Sequence, residues 1–398
     1  MDYKYKIEQL RRQDLLRTVR DRGCPAGRVI NIDGRDLLNF SSNDYLGLAS
    51  SPALIGAAKQ ALMDYGHGAG ASRLLSGGTT VHALLEEKTA AFKGAEKAIM
   101  FNSGYAANTG AIPALTDDNS AIFSDALNHA SIVDGCRLSA AKRYIYRHND
   151  LDHLESLMKN SPCAHKLVIT ESVFSMDGDV ADIYNLNLLC NKYNAALYID
   201  DAHATGVIGQ GRGALAHFNV TPNDNIIQMG TYSKALGSIG GFVAGSEAVI
   251  DYLFNTARSL IYSTALPAAA AAASLAAIEY VEAHSELPAE LPAELPAELP
   301  AELPDLIVKL HKTIDNCRRM LRSKGFTVTL DNTPIIPIVF DSTAETLHIS
   351  GRLLEMGVYA PAIRPPTVKQ PRIRISISAF HEDEDIEHLV NALSEAIR

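Results

Sequence analysis

The stretch NIIQMGTYSKALGSIGG, Asn225 to Gly241, sets a single lysine between an apolar run and a glycine-rich one. NIIQM has the length and composition of a short buried strand, and GTYS reads as the turn that ends it. In an open α/β sheet, ligands bind in the crevice beyond the carboxyl ends of the strands, and Lys234 follows such an end. A solvated loop lysine is the plainer alternative. The choice depends on whether other strand ends bring chemistry to the same edge.

Several do. KAIMF (97–101), AIFS (121–124), RYIY (143–146), KLVIT (166–170) and AALYID (195–200) read as further strands. Stretches with helical spacing, such as LEEKTAAF (85–92) and NLNLLCNKY (185–193), lie between them. That alternation predicts a largely parallel sheet with helices on both faces. LYIDDAHATG delivers Asp200, Asp201 and His203 at one strand end, and TESVFSMDGD presents Glu171 and Ser175 at another. A lysine amine, a carboxylate and a histidine on one edge suit pyridoxal phosphate. That cofactor needs the amine as its covalent anchor and the acid to keep its ring nitrogen protonated. Asp200 is the candidate for the ring nitrogen, although paired aspartates after a strand also serve as turn and cap residues.

MFNSGYAANTGAI (100–112) runs from a strand through Ser103, Gly104 and Tyr105 into a helix, so backbone amides there can cradle a phosphate; an ordinary capped helix start is the alternative. FSDALNHASIVDGCRLS (123–139) offers His129, whose flat ring can stack on a flat cofactor or serve structure alone. The glycines of GHGAGASRLLSGG (66–78) are not a dinucleotide fingerprint, because no strand precedes them and the spacing is wrong.

The 398 residues are 47% hydrophobic and 21% charged, the composition of an ordinary globular protein. A net charge of −10 argues against nucleic-acid and anionic-membrane partners, and no stretch reads as a membrane span. STALPAAAAAASLAAIEY (263–280) carries a proline and suits a packed internal helix. Five scattered cysteines without a CxxC pair suit reduced thiols, a cytoplasmic location and no metal site. The first 23 residues read as an amphipathic helix, and residues 1–28 hold eight Lys or Arg against four Asp or Glu. Such an arm suits an anionic partner, or else is a solvated helix face.

ELPAELPAELPAELPAELP (286–304) places a proline at every fourth position, which denies it a regular helix, so an exposed spacer is expected. Beyond it, PIIPIVF (334–340) and PRIRISIS (371–378) read as strands, the second alternating Ile373, Ile375 and Ile377 with Arg372, Arg374 and Ser376. HEDEDIEHLVNALSEAIR (381–398) repeats Ile386, Leu389, Val390, Leu393 and Ile397 at helical spacing. The expected division is a helical arm over 1–40, a cofactor domain over 41–284, a spacer over 285–304 and a small α+β domain over 305–398.

NFSSNDYLGLA, GAGASRLLSGGTTVHALLEE, FNSGYAANTGAI, SDALNHASIVDGCRLS, ESVFSMDGD, DDAHATGVIGQGRG and GTYSKALGSIGGFVAG together resemble the α-oxoamine synthases. These are pyridoxal-phosphate enzymes of the aspartate-aminotransferase fold (fold type I), with a mainly parallel central sheet, and the likeness spans nearly the whole chain. AIRPPTV followed by PRIRISISAFH most resembles the branch that joins L-alanine to a pimeloyl thioester, pimeloyl-CoA or pimeloyl-acyl-carrier protein. The resemblance implies that Lys234 anchors the cofactor and moves the substrate α-proton. Asp200 would pair with the ring nitrogen, His203 and Ser175 would lie near the phenolic oxygen, and His129 would stack on the ring and reach substrate. Thr231 with Gly104 and Tyr105 would meet cofactor and phosphate. Arg364 would clamp the amino-acid carboxylate, Thr367 and Asn43 would contact substrate, and Arg17 would meet the acyl chain. Thr264 resembles a phosphate contact from a neighbouring subunit, which implies a homodimer with shared sites. Ala204 stands where the family commonly has glycine, and the ELPA repeat is foreign to the pattern. Glycine-using sister synthases, a silent scaffold subunit and a simple aminotransferase are the competing expectations.

Overall fold

The computed structural model describes residues 1–285 and 306–398; from residue 286 on, the expected spacer lies outside the described residues. The chain divides into two compact units. The smaller comprises Met1–Gly47, Met176–Asp179 and Val308–Arg398, and the larger Leu48–Ser175 and Val180–Ile307.

The smaller unit opens with a helix over Tyr3–Arg12, capped by Asp2, whose side chain accepts from the amides of Lys4 and Tyr5. The helical arm expected over residues 1–40 is helical only there. Asp14 turns the backbone to φ 57°, and residues 29–39 form a hairpin of β1 (Val29–Ile32) and β2 (Arg35–Asn39). Asp33 and Gly34 at the hairpin turn both take positive φ, the conformation tight two-residue turns require.

The larger unit is built on seven strands: β3 (Lys97–Phe101), β4 (Ser120–Asp125), β5 (Lys142–Tyr146), β6 (His165–Glu171), β7 (Ala196–Asp200), β8 (Ile226–Thr231) and β9 (Gly241–Gly245). They lie in the order β3-β9-β8-β7-β6-β4-β5. β4 to β8 run parallel, and β9 alone runs antiparallel to both its neighbours. Every residue of β4, β8 and β9 is buried, which explains their near-continuous apolar runs. β9, the GFVAG segment, escaped the sequence reading because its glycines mask the strand pattern. Gly241 of β9 and Gly230 of β8 have a packing reason. A Cβ on Gly241 would stand 2.7 Å from the Gly104 nitrogen, and one on Gly230 of β8 would stand 2.3 Å from the Phe242 ring.

The helices Gly104–Ala114 and Ala130–Leu138 contribute Ala107, Ala111, Ile132 and Cys136 to the core with Ile122, Ile169, Tyr198, Met229 and Val243 of the sheet. Each large aliphatic side chain buried there stabilises by about 1.5–3 kcal/mol. Close approach of the two helices needs Gly135, whose added Cβ would meet the Asn108 carbonyl at 2.7 Å.

In the remainder of the smaller unit, β10 (Ile335–Val339) and β12 (Ala362–Ile363) flank β13 (Arg372–Ser376), while β11 (Val358–Tyr359) joins β2. Although isoleucines alternate with polar residues along β13, all five of its residues are buried. Arg372 is held by the Met176 carbonyl at 3.1 Å and Asp177 at 2.6 Å, and Arg374 donates to Ser376, Asn43 and Tyr45. The closing helix spans Asp383–Ala396 and buries Ile386, Leu389, Val390 and Leu393. Ile397 lies beyond its end and is exposed.

Candidate functional site

Parallel strands bring their carboxyl ends to one edge, and here β6 ends in Glu171, β7 in Asp200 and β8 in Thr231. β8 continues two residues further than NIIQM suggested, so Lys234 stands three residues past its last member. Ser175, His203 and Thr231 are buried, and Lys234 is half-buried.

Asp200 is oriented from two sides. Its Oδ2 accepts from Asn108 Nδ2 at 2.8 Å, and its Oδ1 accepts from the Ala202 amide at 3.0 Å. Asn108 is oriented in turn, accepting from the Tyr198 hydroxyl at 2.9 Å and donating to Ser131 Oγ at 2.9 Å. Ser131 Oγ stands 2.8 Å from His129 Nδ1, so one network joins the strand-end acid to the candidate stacking histidine. Solvent reaches part of His129, but the surrounding protein desolvates its ring. Desolvation, and then Lys234, hold its pKa below the ordinary histidine value against the pull of Asp200, which favours an uncharged ring.

The two aspartates at 200 and 201 divide their work. Asp201 accepts from buried Lys93 at 2.7 Å, from Ser172 Oγ at 2.5 Å and from the Ala214 amide at 3.1 Å. It ties down the loop that carries His203, and position 213 requires glycine both for its φ of 98° and because a Cβ there would collide with Asp201 Oδ2. Removing one partner of so buried a pair costs about 3–5 kcal/mol. Sequence reasoning named neither Lys93 nor Asn108: each is one polar residue inside a helix, with no local signal of its distant partner.

The Gly104–Ala114 helix is capped by Ser103, which accepts from the Ala106 amide at 3.0 Å. Gly104 lies close to β8, since an added Cβ would meet Thr231 Cγ2 at 2.5 Å. Thr231 Oγ1 is buried without a hydrogen-bond partner. An orphaned hydroxyl beside the amides of a helix N-terminus is the donor set an anion requires. Tyr105 is half-exposed and its hydroxyl donates to Asp134. Thr264 is exposed, and its carbonyl accepts from Asn102 at 2.7 Å. A half-buried lysine, an oriented carboxylate, an imidazole shifted toward its neutral form and an unpartnered hydroxyl beside a helix N-terminus together fit pyridoxal phosphate.

The other candidates belong to the smaller unit. Arg17 donates to the carbonyl of Pro365 at 3.2 Å and to Thr367 Oγ1 at 3.3 Å, while Arg364 donates to the Leu16 carbonyl at 2.7 Å. The Nε of Arg364 is buried without a partner, and desolvation followed by Arg17 lowers its pKa. Arg11, Arg17, Arg20 and Arg364 line a cavity of ≈ 500 Å³ floored by Leu347, Leu354 and neighbouring residues. Asn43 stands apart from that cluster, accepting from Arg374 and the Tyr45 hydroxyl at 3.2 Å each.

The profile of the aminotransferase class I and II family matches residues 35–393. The chain is 44% identical to the 8-amino-7-oxononanoate synthase of Geobacter metallireducens, over 98% of this chain and 96% of that one. Among solved structures it is similar to the serine palmitoyltransferase of Sphingomonas wittichii, with TM-score 0.89, 29% identity and coverage of 100% and 98%. The 8-amino-7-oxononanoate synthase of Francisella tularensis follows with TM-score 0.75, 27% identity and coverage of 90% and 97%. With a family match and near-complete relatives both pointing one way, the chain belongs to the class I and II aminotransferase family and, within it, to the 8-amino-7-oxononanoate synthase family of α-oxoamine synthases.

Proposed function

We propose that this chain condenses L-alanine with a pimeloyl thioester to give 8-amino-7-oxononanoate, a step of biotin biosynthesis, in the cytoplasm. The carrier of the acyl group is coenzyme A or an acyl-carrier protein. The reading is carried by the oriented Asp200 at the end of β7, with Lys234 just past the end of the adjacent β8. In the overall reaction a C–C bond forms between the alanine α-carbon and the thioester carbonyl, and the C–S bond breaks to release the thiol. The alanine carboxylate leaves as carbon dioxide and a proton takes its place.

Pyridoxal phosphate, when bound, supplies an electron-withdrawing ring that takes up the electron pair released at the α-carbon. Lys234 offers the amine that anchors the cofactor and afterwards carries the α-proton. Asp200 holds a proton on the ring nitrogen, which its fixed position between Asn108 and Ala202 favours. His129 would stack on the ring, its imidazole shifted toward the neutral form by desolvation. Ser175 and His203 serve the phenolic oxygen, and Thr231 with the Gly104–Tyr105 backbone serves the phosphate. Thr264 is assigned to the phosphate of a second subunit in a homodimer. In the smaller unit, Arg364 takes the alanine carboxylate, Thr367 and Asn43 contact substrate, and Arg17 meets the acyl group.

The test is to load the protein with cofactor, supply alanine or glycine with pimeloyl, acetyl or succinyl thioesters, and weigh the products. Alanine with pimeloyl thioester is expected to give the amino ketone and one carbon dioxide per turnover. Product from glycine pairs alone would move the chain to a sister synthase. A protein with no visible cofactor band and no product would be a scaffold subunit.

A further inference from the structure

Glu171, the last residue of β6, stands opposite Asp200, the last residue of β7, in the parallel register. Registered residues of neighbouring strands present their side chains to the same face, so the two carboxyls are neighbours. They are not equivalent. Both oxygens of Asp200 accept hydrogen bonds, whereas Glu171 is served by Ser175, whose amide donates to Oε2 at 3.0 Å and whose side chain adds a hydrogen bond. Its Oε1 is buried without a partner, and the residue is 2% exposed. Its strand end is held firmly, its amide donating to Asn128 Oδ1 at 2.9 Å.

A carboxylate served by donors on both oxygens keeps its charge, and one with a buried, unserved oxygen keeps a proton. Burial, and then Asp200, push Glu171 up to about 8, with Lys234 and Ser175 acting the other way. On the flanking β4 side, Asp125 is occupied by the Leu127 and Asn149 amides and by His148, and His129 is shifted toward its uncharged form.

We propose that Glu171 is a positioning residue that works as a neutral acid: it keeps a proton, fixes Ser175 through Oε2, and adds no charge beside Asp200 where β6 and β7 end. Its bearing on the cofactor rests on the proposed function, through Ser175 and Asp200. Ionisation of Glu171 sets a second carboxylate beside the first, which loosens this edge and repels an anionic cofactor.

Glu171→Gln copies the neutral acid, with an oxygen for the Ser175 amide and a donor in place of the hydroxyl. In the first arm, the cofactor-free wild type and variant are unfolded in denaturant from about pH 5 to about pH 9.5. The wild type is expected to lose stability as pH rises from about 5 to about 8, where the folded chain keeps a proton that the unfolded chain has released, and to level off above; the variant should lack that loss. In the second arm, pyridoxal phosphate affinity is read from absorption. The variant is expected to bind within about threefold of wild type near pH 7, and to stay flat where the wild type weakens about tenfold at high pH. Identical pH-dependent losses in both proteins would overturn the proposal. So would a variant bound more than about tenfold weaker near pH 7, because the charged form would then be the working one. A wild type that binds no cofactor would sink the proposed function instead, and the first arm would still decide the state of Glu171.

Discussion

The strand-end edge of the larger unit and the arginine cluster of the smaller unit carry charge in opposite ways. At the edge, Asp200, Ser175, His203 and Thr231 are buried and either close a strand or follow one closely. In the cluster, Arg17 is exposed, and it and Arg364 reach backbone carbonyls from segments without regular structure. Groups that tune electrons need fixed positions and little water, which a sheet edge supplies. Groups that choose a substrate can sit on irregular chain, where a change of side chain disturbs little else.

Substitutions on the two sides should therefore differ in kind. The largest effect is expected for Lys234→Ala, which removes both anchor and base. Turnover should fall by at least about 10⁴-fold and the visible cofactor band should be lost. A variant that turns over near the parent rate would remove the reason for treating the edge as the chemical centre. Arg364→Gln should act on binding. The KM for alanine should rise about tenfold to a hundredfold with kcat little changed, since a hydrogen bond to a charged group contributes about 1.5–3 kcal/mol. A fall in kcat alone would erase the contrast.

The smallest effect concerns stability and shows that the smaller unit has a buried titrating group of its own. His381 accepts the Ser378 amide on Nδ1 at 3.0 Å, donates from Nε2 to the Asn39 carbonyl at 3.1 Å and stacks on Phe40. Burial lowers its pKa from 6.5 to about 4. Between those values the unfolded chain binds a proton that the folded chain refuses, so stability falls as pH drops through that window. The loss amounts to about 3 kcal/mol. Denaturant unfolding of His381→Gln should show a flatter acid limb than the wild type.

The parallel strands were legible because each is an apolar run ended by polar residues. Lys234, Asp200 and His203 were legible because they follow such runs directly. β9 was not, since two glycines blunt a five-residue strand, and the reason for one of them, Gly241, is close contact with Gly104. The burial of Arg372 and Arg374 in β13 was not either, because it depends on distant partners such as Asp177 and Tyr45.

Local order alone determined which segments become strands and helices and which reactive groups follow them, because periodicity and turn chemistry act over a few residues. The tertiary structure decided which groups are served and which are left wanting. Asn108 reaches Asp200, Lys93 reaches Asp201, and Glu171 and Thr231 each keep a buried oxygen without a partner. Those outcomes depend on contacts between residues dozens of positions apart, and on water excluded by the whole fold, which no short stretch of chain can encode.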